Sequence, residues 1–76
     1  MSEKTNRFIK RLFMIYNNLN GINPLRLKHL LSVGLSVPTS YRVLRFLLNE
    51  KIITEIEGKY YVDWEKYRQY LNMLTS

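Results

Sequence analysis

The chain is 76 residues long, enough for one domain with a small core, and its single histidine and lack of cysteine exclude disulfides, thiolate metal sites and a histidine-based catalytic pair. With 46% hydrophobic residues, no apolar run near the ~20 residues of a membrane span and no hydrophobic N-terminal signal, the composition is typical of a soluble intracellular domain. The net charge of +6 is uneven, because residues 1–48 carry +7 and residues 49–76 carry −1, which favours a polyanionic partner over an ordinary basic surface.

Apolar residues at helical spacing predict a first helix over residues 3–20, which Asn20-Gly21 ends because glycine accepts the left-handed conformation. The predicted stripe consists of Phe8, Leu12, Ile15, Tyr16 and Leu19, widened by Ile9 and Phe13, and it leaves Met14 outside. The opposite side carries Lys4, Arg7, Lys10 and Arg11. Of these, Lys4, Arg7 and Arg11 form a basic stripe that either meets nucleic acid or is a solvated face.

Two more helices are predicted next. Asn23 followed by Pro24 is a typical helix start, and the second helix is expected to run to Val33 before Gly34 ends it. Its expected buried residues are Leu27, Leu30 and Leu31. Ser36 is expected to cap a third helix over residues 37–49, with Pro38 in the first turn. On a helical wheel its inward residues are Tyr41, Leu44, Leu47 and Leu48, and its outward residues are Thr39, Arg42, Phe46 and Asn49, with Arg45 at the boundary.

The periodicity then changes from helical to alternating. Residues 52–56 and 60–62 are β-branched and aromatic runs that predict a hairpin, with Gly58 supplying a positive φ in the turn. Asp63 is a good N-cap for a last helix, which is expected to bury Trp64 at least partly against the first helix. The apolar stripe of this last helix is Trp64, Tyr67, Tyr70, Leu71 and Leu74.

The segment from Leu30 to Ile53 reads LLSVGLSVPTSYRVLRFLLNEKII. Its small-residue turn, its Ser-x-Pro-Thr helix start, Arg42 and its Leu-Leu-Asn-Glu-Lys-Ile-Ile exit resemble the recognition half of winged helix-turn-helix transcription regulators. Size and element order extend the resemblance to nearly the whole chain, most closely to the small single-domain regulators of crenarchaeal viruses and plasmids. Two departures are one extra residue between Pro38 and Lys51 and a short hairpin whose tip is nearly neutral.

The resemblance implies an α+β, mainly α, fold in which residues 1–76 form a single winged helix-turn-helix domain. The helix-turn-helix is expected at about residues 24–50, the hairpin wing at about 52–63 and the C-terminal helix at about 64–75. The third helix, about 37–49, is expected to lie in the major groove of double-stranded DNA.

Candidate contacts follow from the chemistry of that helix. Its N-terminal amides suit a phosphate, and the hydroxyls of Thr39 and Ser40 are positioned to join them. Arg42 projects outward where a guanidinium reaches guanine O6 and N7. Asn49 either pairs with adenine or caps the helix end, and Arg45 is expected to contact a phosphate.

The remaining candidates have competing interpretations. Arg26 and Lys28 flank the second helix, where they either contact phosphate or are plain surface residues. Lys59 and Tyr60 of the wing are candidate phosphate contacts, although Tyr60 is equally a cross-strand packing residue. Phe46 either touches a thymine methyl group or packs under the wing, with packing favoured. His29 is expected at the surface.

The function that these observations predict is a sequence-specific transcription regulator, with its own promoter as a candidate target, and not an enzyme. We expect no cofactor, no metal, no evident small-molecule ligand and no membrane partner. The apolar surface of the terminal helices predicts a homodimer, at least on DNA. The alternatives are a winged-helix protein-interaction module in a larger assembly and a non-specific nucleic-acid binder.

Overall fold

The computed structural model describes the backbone of residues 3–76 and the side chains of residues 5–76. The fold is α+β and mainly helical, with four helices and one two-stranded antiparallel hairpin, an order compatible with a winged-helix layout. The elements are α1 (Glu3–Leu19), α2 (Leu27–Ser32), α3 (Val37–Asn49), β1 (Ile53–Ile56), β2 (Lys59–Val62) and α4 (Trp64–Thr75). Within the described residues, no helix combines the length and the apolar character that a membrane crossing requires.

One hydrophobic core contains residues from all six elements. Leu12 and Ile15 of α1 and Leu47 of α3 are at most 1% exposed. Phe46 of α3 contacts both α1 and α4. The centroid of its ring lies 5.0 Å from that of Phe8 in α1 and 5.7 Å from that of Tyr70 in α4. Phe46 is therefore a packing residue, but its ring partners are α1 and α4 and not the wing under which it was expected to pack.

The wide apolar arc of α1 is used within the molecule. Tyr16 packs against Trp64 and Tyr67 of α4, with ring centroids 6.0 and 5.7 Å away. Trp64 is half-buried, as predicted, and its indole Nε1–H donates to the carbonyl of Ile22 at 3.0 Å. Met14 was expected outside the arc, but it packs against the core, so that prediction is wrong. All residues of the arc except Ile9 therefore pack in or against the core of the same chain.

The second helix starts later than the sequence indicates. Asn23 does not cap a helix; its side chain binds the backbone of Val62, with Nδ2 donating at 2.8 Å and Oδ1 accepting at 2.7 Å. Leu25 follows a cis Asn23–Pro24 peptide and forms an antiparallel bridge with Tyr60. The loop before α2 therefore lies along the free side of β2, and α2 begins only at Leu27.

The late start of α2 changes which leucines are buried. Leu25 is fully buried because it pairs with the hairpin, whereas Leu31 is 40% exposed although it was expected in the core. Of the residues of the shorter α2, Leu30 is the one that is fully buried.

The third helix has the predicted bounds but a different buried face. Ser36 caps it by accepting the amide of Thr39 at 3.3 Å. Its buried residues are Ser40, Val43, Leu44 and Leu47. Tyr41, expected inward, is 49% exposed. At 100° per residue the buried face is rotated by about 60° from the predicted one. The reason is that α1 packs beside Val43 and Phe46, which turns this side of α3 inward.

The hairpin has the predicted position and a two-residue turn. Glu57 and Gly58 both have positive φ, 52° and 76°, which is the requirement of a type I′ turn. Gly58 was predicted in this role. Tyr60 and Val62 face the core, and the next helix, α4, begins after Asp63, whose carboxylate accepts the amide of Lys66 at 3.0 Å.

Candidate nucleic-acid interface

The side of α3 that faces away from the core carries polar and basic residues. Arg42, Arg45 and Asn49 are exposed, as predicted, and the first acidic residue after them is Glu50. Val37 and Tyr41, one turn apart, are 45% and 49% exposed on the flank next to this face. The helix therefore presents two guanidinium groups, one amide and two apolar side chains to solvent.

The N-terminal hydroxyls of α3 occupy different environments. Thr39 is half-buried and its hydroxyl accepts a hydrogen bond from Ser36 Oγ at 3.0 Å. Ser40 is 0% exposed, and its Oγ has no hydrogen-bond partner among the described residues. The prediction that Ser40 contacts a ligand is therefore wrong, since the rotation of α3 places its side chain in the core.

Tyr60 is a second candidate that the structure moves inward. It is 8% exposed, and its backbone pairs with Leu25. Burial, followed by the nearby Glu55 and Tyr41, raises the pKa of Tyr60. Tyr60 is therefore a packing residue, which was the alternative to a phosphate contact. Lys59 beside it stays half-buried at the start of β2.

A groove of about 590 Å³ runs between α1 and α3. Its α1 wall includes Arg7, Phe8 and Arg11, and its α3 wall includes Thr39, Arg42 and Val43. The three arginines thus converge on one space from two helices. Among the described side chains, the one salt bridge joins Arg68 to Glu65 on α4. None of the three arginines that line the groove therefore has a described carboxylate partner.

The convergence of Arg7 and Arg11 with Arg42 is the feature that sequence reasoning left open. The spacing of Arg7 and Arg11 places both on one side of α1, with Phe8 adjacent. Phe8 contacts Phe46, and this contact turns the two arginines towards α3. The side chain of Lys4, which belonged to the same predicted stripe, lies outside the described side chains.

Arg26 and Lys28 do not line the groove. Both are exposed around the start of α2, where Arg26 is the N-cap. The amide of Arg26 donates to Nδ1 of His29 at 2.9 Å, so His29 is a half-buried capping residue rather than the surface histidine that was expected.

The arrangement offers positive charge and hydrogen-bond donors. Within residues 5–76, no group of three histidine, aspartate or glutamate side chains is placed to hold a metal ion. Comparison with protein-family models, with curated proteins and with solved structures finds no match to this chain. The function is therefore argued from the geometry of α1 and α3.

Proposed function

We propose that this protein is a sequence-specific double-stranded DNA-binding transcription regulator of the winged helix-turn-helix type. In this proposal α2 and α3 are the helix-turn-helix, the hairpin is the wing, and α3 enters the major groove. The observation that carries the proposal is the exposed side of α3, where Arg42, Arg45 and Asn49 stand together with no acidic residue before Glu50.

The spacing of these residues suits base edges. From Arg42 to Asn49 the helix rises about 10 Å, which matches three base-pair steps of DNA. Arg42 is assigned to O6 and N7 of a guanine, and Asn49 to N6 and N7 of an adenine. Arg45 is assigned to a backbone phosphate, which fixes the register of the helix without reading sequence.

The test begins with selection of a binding site from random duplex DNA by the wild-type protein. Arg42→Ala is expected to reduce affinity for the selected site about 5- to 150-fold more than affinity for random DNA, because a bidentate arginine–guanine pair carries ~1–3 kcal/mol of discrimination. Arg45→Ala is expected to weaken binding to both DNAs alike. Gel-shift titrations at fixed salt measure both effects.

Arg68→Ala is the matched control, because it also removes one exposed guanidinium but lies on α4 and pairs with Glu65. It is expected to change both affinities less than twofold. Failure to enrich any motif, or an equal loss of both affinities in the Arg42 and Arg45 variants, would contradict the proposal.

A second candidate function is a winged-helix protein-interaction module. It is favoured by Ile56 and Tyr61, which are 53% and 42% exposed on the outer face of the hairpin. The basic groove and the basic side of α3 favour DNA instead. Ile56→Ser with Tyr61→Ser separates the two functions, since a DNA-binding protein keeps its affinity for the selected site when this face becomes polar.

A further inference from the structure

We propose that the groove between α1 and α3 holds a phosphate of the DNA backbone, which makes α1 a second DNA-contacting element beside α3. This inference rests on the proposed function and extends it from one helix to two. It concerns Arg7 and Arg11, which the assignment of α3 to the major groove leaves without a role.

The first argument is electrostatic. Arg7, Arg11 and Arg42 line one groove, and no described carboxylate pairs with any of them. Three like charges on the walls of one groove repel one another, and a phosphate held by Arg7 and Arg11 relieves that repulsion while Arg42 contacts its base. Guanidinium groups also match phosphate oxygens geometrically, because each presents a planar fork of N–H donors.

The second argument is the shape and lining of the groove. At about 590 Å³ it is far larger than one phosphate, and it is open to solvent along the exposed residues Arg7 and Arg42. Small-molecule sites are mostly enclosed, whereas this groove is open along two of its arginines and carries the third arginine beside Phe8 and Val43. A cleft of that kind suits a chain that passes through it.

The third argument is continuity with the proposed recognition surface. Arg42 both lines the groove and belongs to the exposed side of α3, with Arg45 one turn further along the helix. A duplex whose major groove receives α3 therefore brings its flanking backbone towards α1. The half-buried hydroxyl of Thr39 lies on the same wall of the groove.

The test compares Arg11→Ala with Lys10→Ala. Each substitution removes one positive charge from neighbouring positions of α1, but Lys10 is exposed and lies about 100° around the helix from Arg11, outside the groove. On the site selected by the wild-type protein, Arg11→Ala is expected to make the slope of log K against log salt shallower by ~0.9, the contribution of one phosphate contact. The Arg7→Ala/Arg11→Ala pair is expected to make it shallower by about 1 to 2. Lys10→Ala is expected to leave the slope unchanged.

A methylphosphonate scan of the same duplex locates the contact. Wild-type protein is expected to lose affinity severalfold when one phosphate beside the recognised bases is made neutral, and Lys10→Ala is expected to lose the same factor. The Arg7/Arg11 double variant is expected to be indifferent to that replacement. Arg11→Lys, which keeps the charge, is expected to keep the salt slope, and thermal melts establish that each variant is folded.

The outcomes separate this inference from the proposed function. If the Arg7/Arg11 variant binds like wild type while Arg42→Ala and Arg45→Ala act as stated, the recognition helix stands and the groove assignment is overturned. If no DNA motif is selected at all, both fall. A titration with a free mononucleotide covers the other source of phosphate: saturable micromolar binding that requires Arg11 would indicate a small-molecule site and overturn the backbone assignment.

Discussion

The phenol of Tyr67 joins α4 to α1 in the centre of the molecule. It is 1% exposed, and its hydroxyl donates to the carbonyl of Leu12 at 2.6 Å. Burial raises the pKa of Tyr67, and burial also raises the pKa of Tyr70 nearby on α4. A tyrosine whose pKa is higher in the folded than in the unfolded state makes its full contribution to the free energy of unfolding below the unfolded pKa of about 10. This contribution is lost as the pH rises further.

Tyr67→Phe is therefore expected to have two effects. At neutral pH it should cost about 1 kcal/mol of unfolding free energy, the typical net value of one hydrogen bond. Above about pH 10 the variant should lose stability less steeply than wild type, because no phenol at this position has to stay protonated. Urea unfolding at a series of pH values measures both, with the exposed Tyr61→Phe as control. Parallel pH profiles for wild type and Tyr67→Phe would contradict the argument.

The residues of α3 show how far the sequence predicts individual side chains. Arg42, Arg45 and Asn49 were correctly placed on the exposed side, because charged and amide groups are costly to bury in any helix orientation. Ser40 and Tyr41 were reversed. Hydropathy favours the tyrosine inside, but the packing of α1 against α3 decides the orientation, and that contact joins residues far apart in the chain.

The same limit applies to the candidate site. The spacing of Arg7 and Arg11 predicts a basic stripe on α1, yet it does not reveal which element the stripe faces. Their approach to Arg42 depends on the Phe8–Phe46 contact, which no local pattern specifies.

At the level of the elements, the segment before α2 pairs with β2 through one isolated bridge and one side chain. The side-chain amide of Asn23 binds the backbone of Val62 as a neighbouring strand would. It accepts from the Val62 N–H at 2.7 Å and donates to the Val62 carbonyl at 2.8 Å. Leu25 and Tyr60 pair through their backbones at 2.7 and 2.9 Å. These bonds fix the hairpin relative to α2, and hence relative to the start of α3.

Asn23→Ala is expected to destabilise the protein by about 1 to 3 kcal/mol, because both backbone groups of Val62 lose their partner in a partly buried place. Amide exchange at Val62 should accelerate more than exchange in α1. Asn18→Ala is the matched control, since its side chain makes one exposed bond within α1, to Met14. Equal unfolding free energies for the two variants would show that the Asn23 bonds contribute nothing.

Helix and hairpin bounds were predicted well wherever the signal is local. Ser36 and Asp63 cap α3 and α4, and Gly58 takes its positive φ in the turn, as expected from a few neighbouring residues each. The start of α2 was wrong because Asn23-Pro24 satisfies a capping pattern while its actual partner, Val62, is 39 residues away. A local pattern cannot distinguish a cap from a long-range pair.

At the scale of the whole molecule, the surface limits self-association. Among the described residues, α1 contributes none of the large exposed hydrophobic side chains and α4 contributes Met73, which is 60% exposed. The apolar arc that predicted a dimer packs, apart from Ile9, in or against the core of the same chain. Two copies, each with a net charge of +6, also repel each other. We therefore expect a monomer in free solution, measurable by sedimentation at low salt.

On DNA we expect two copies, because one α3 spans only about three base-pair steps and a regulator needs a longer site to be selective. Two half-sites about one helical turn apart supply that length, and the DNA charge offsets the repulsion between the proteins. Calorimetry on the selected duplex is expected to give two protomers per site. The salt slope should be steeper than about −5, since each copy brings several cations to phosphate at ~0.9 per contact. One protomer per site with a slope nearer −3 would instead identify a monomeric reader, whose selectivity would have to come from α3 and the α1 groove of a single chain.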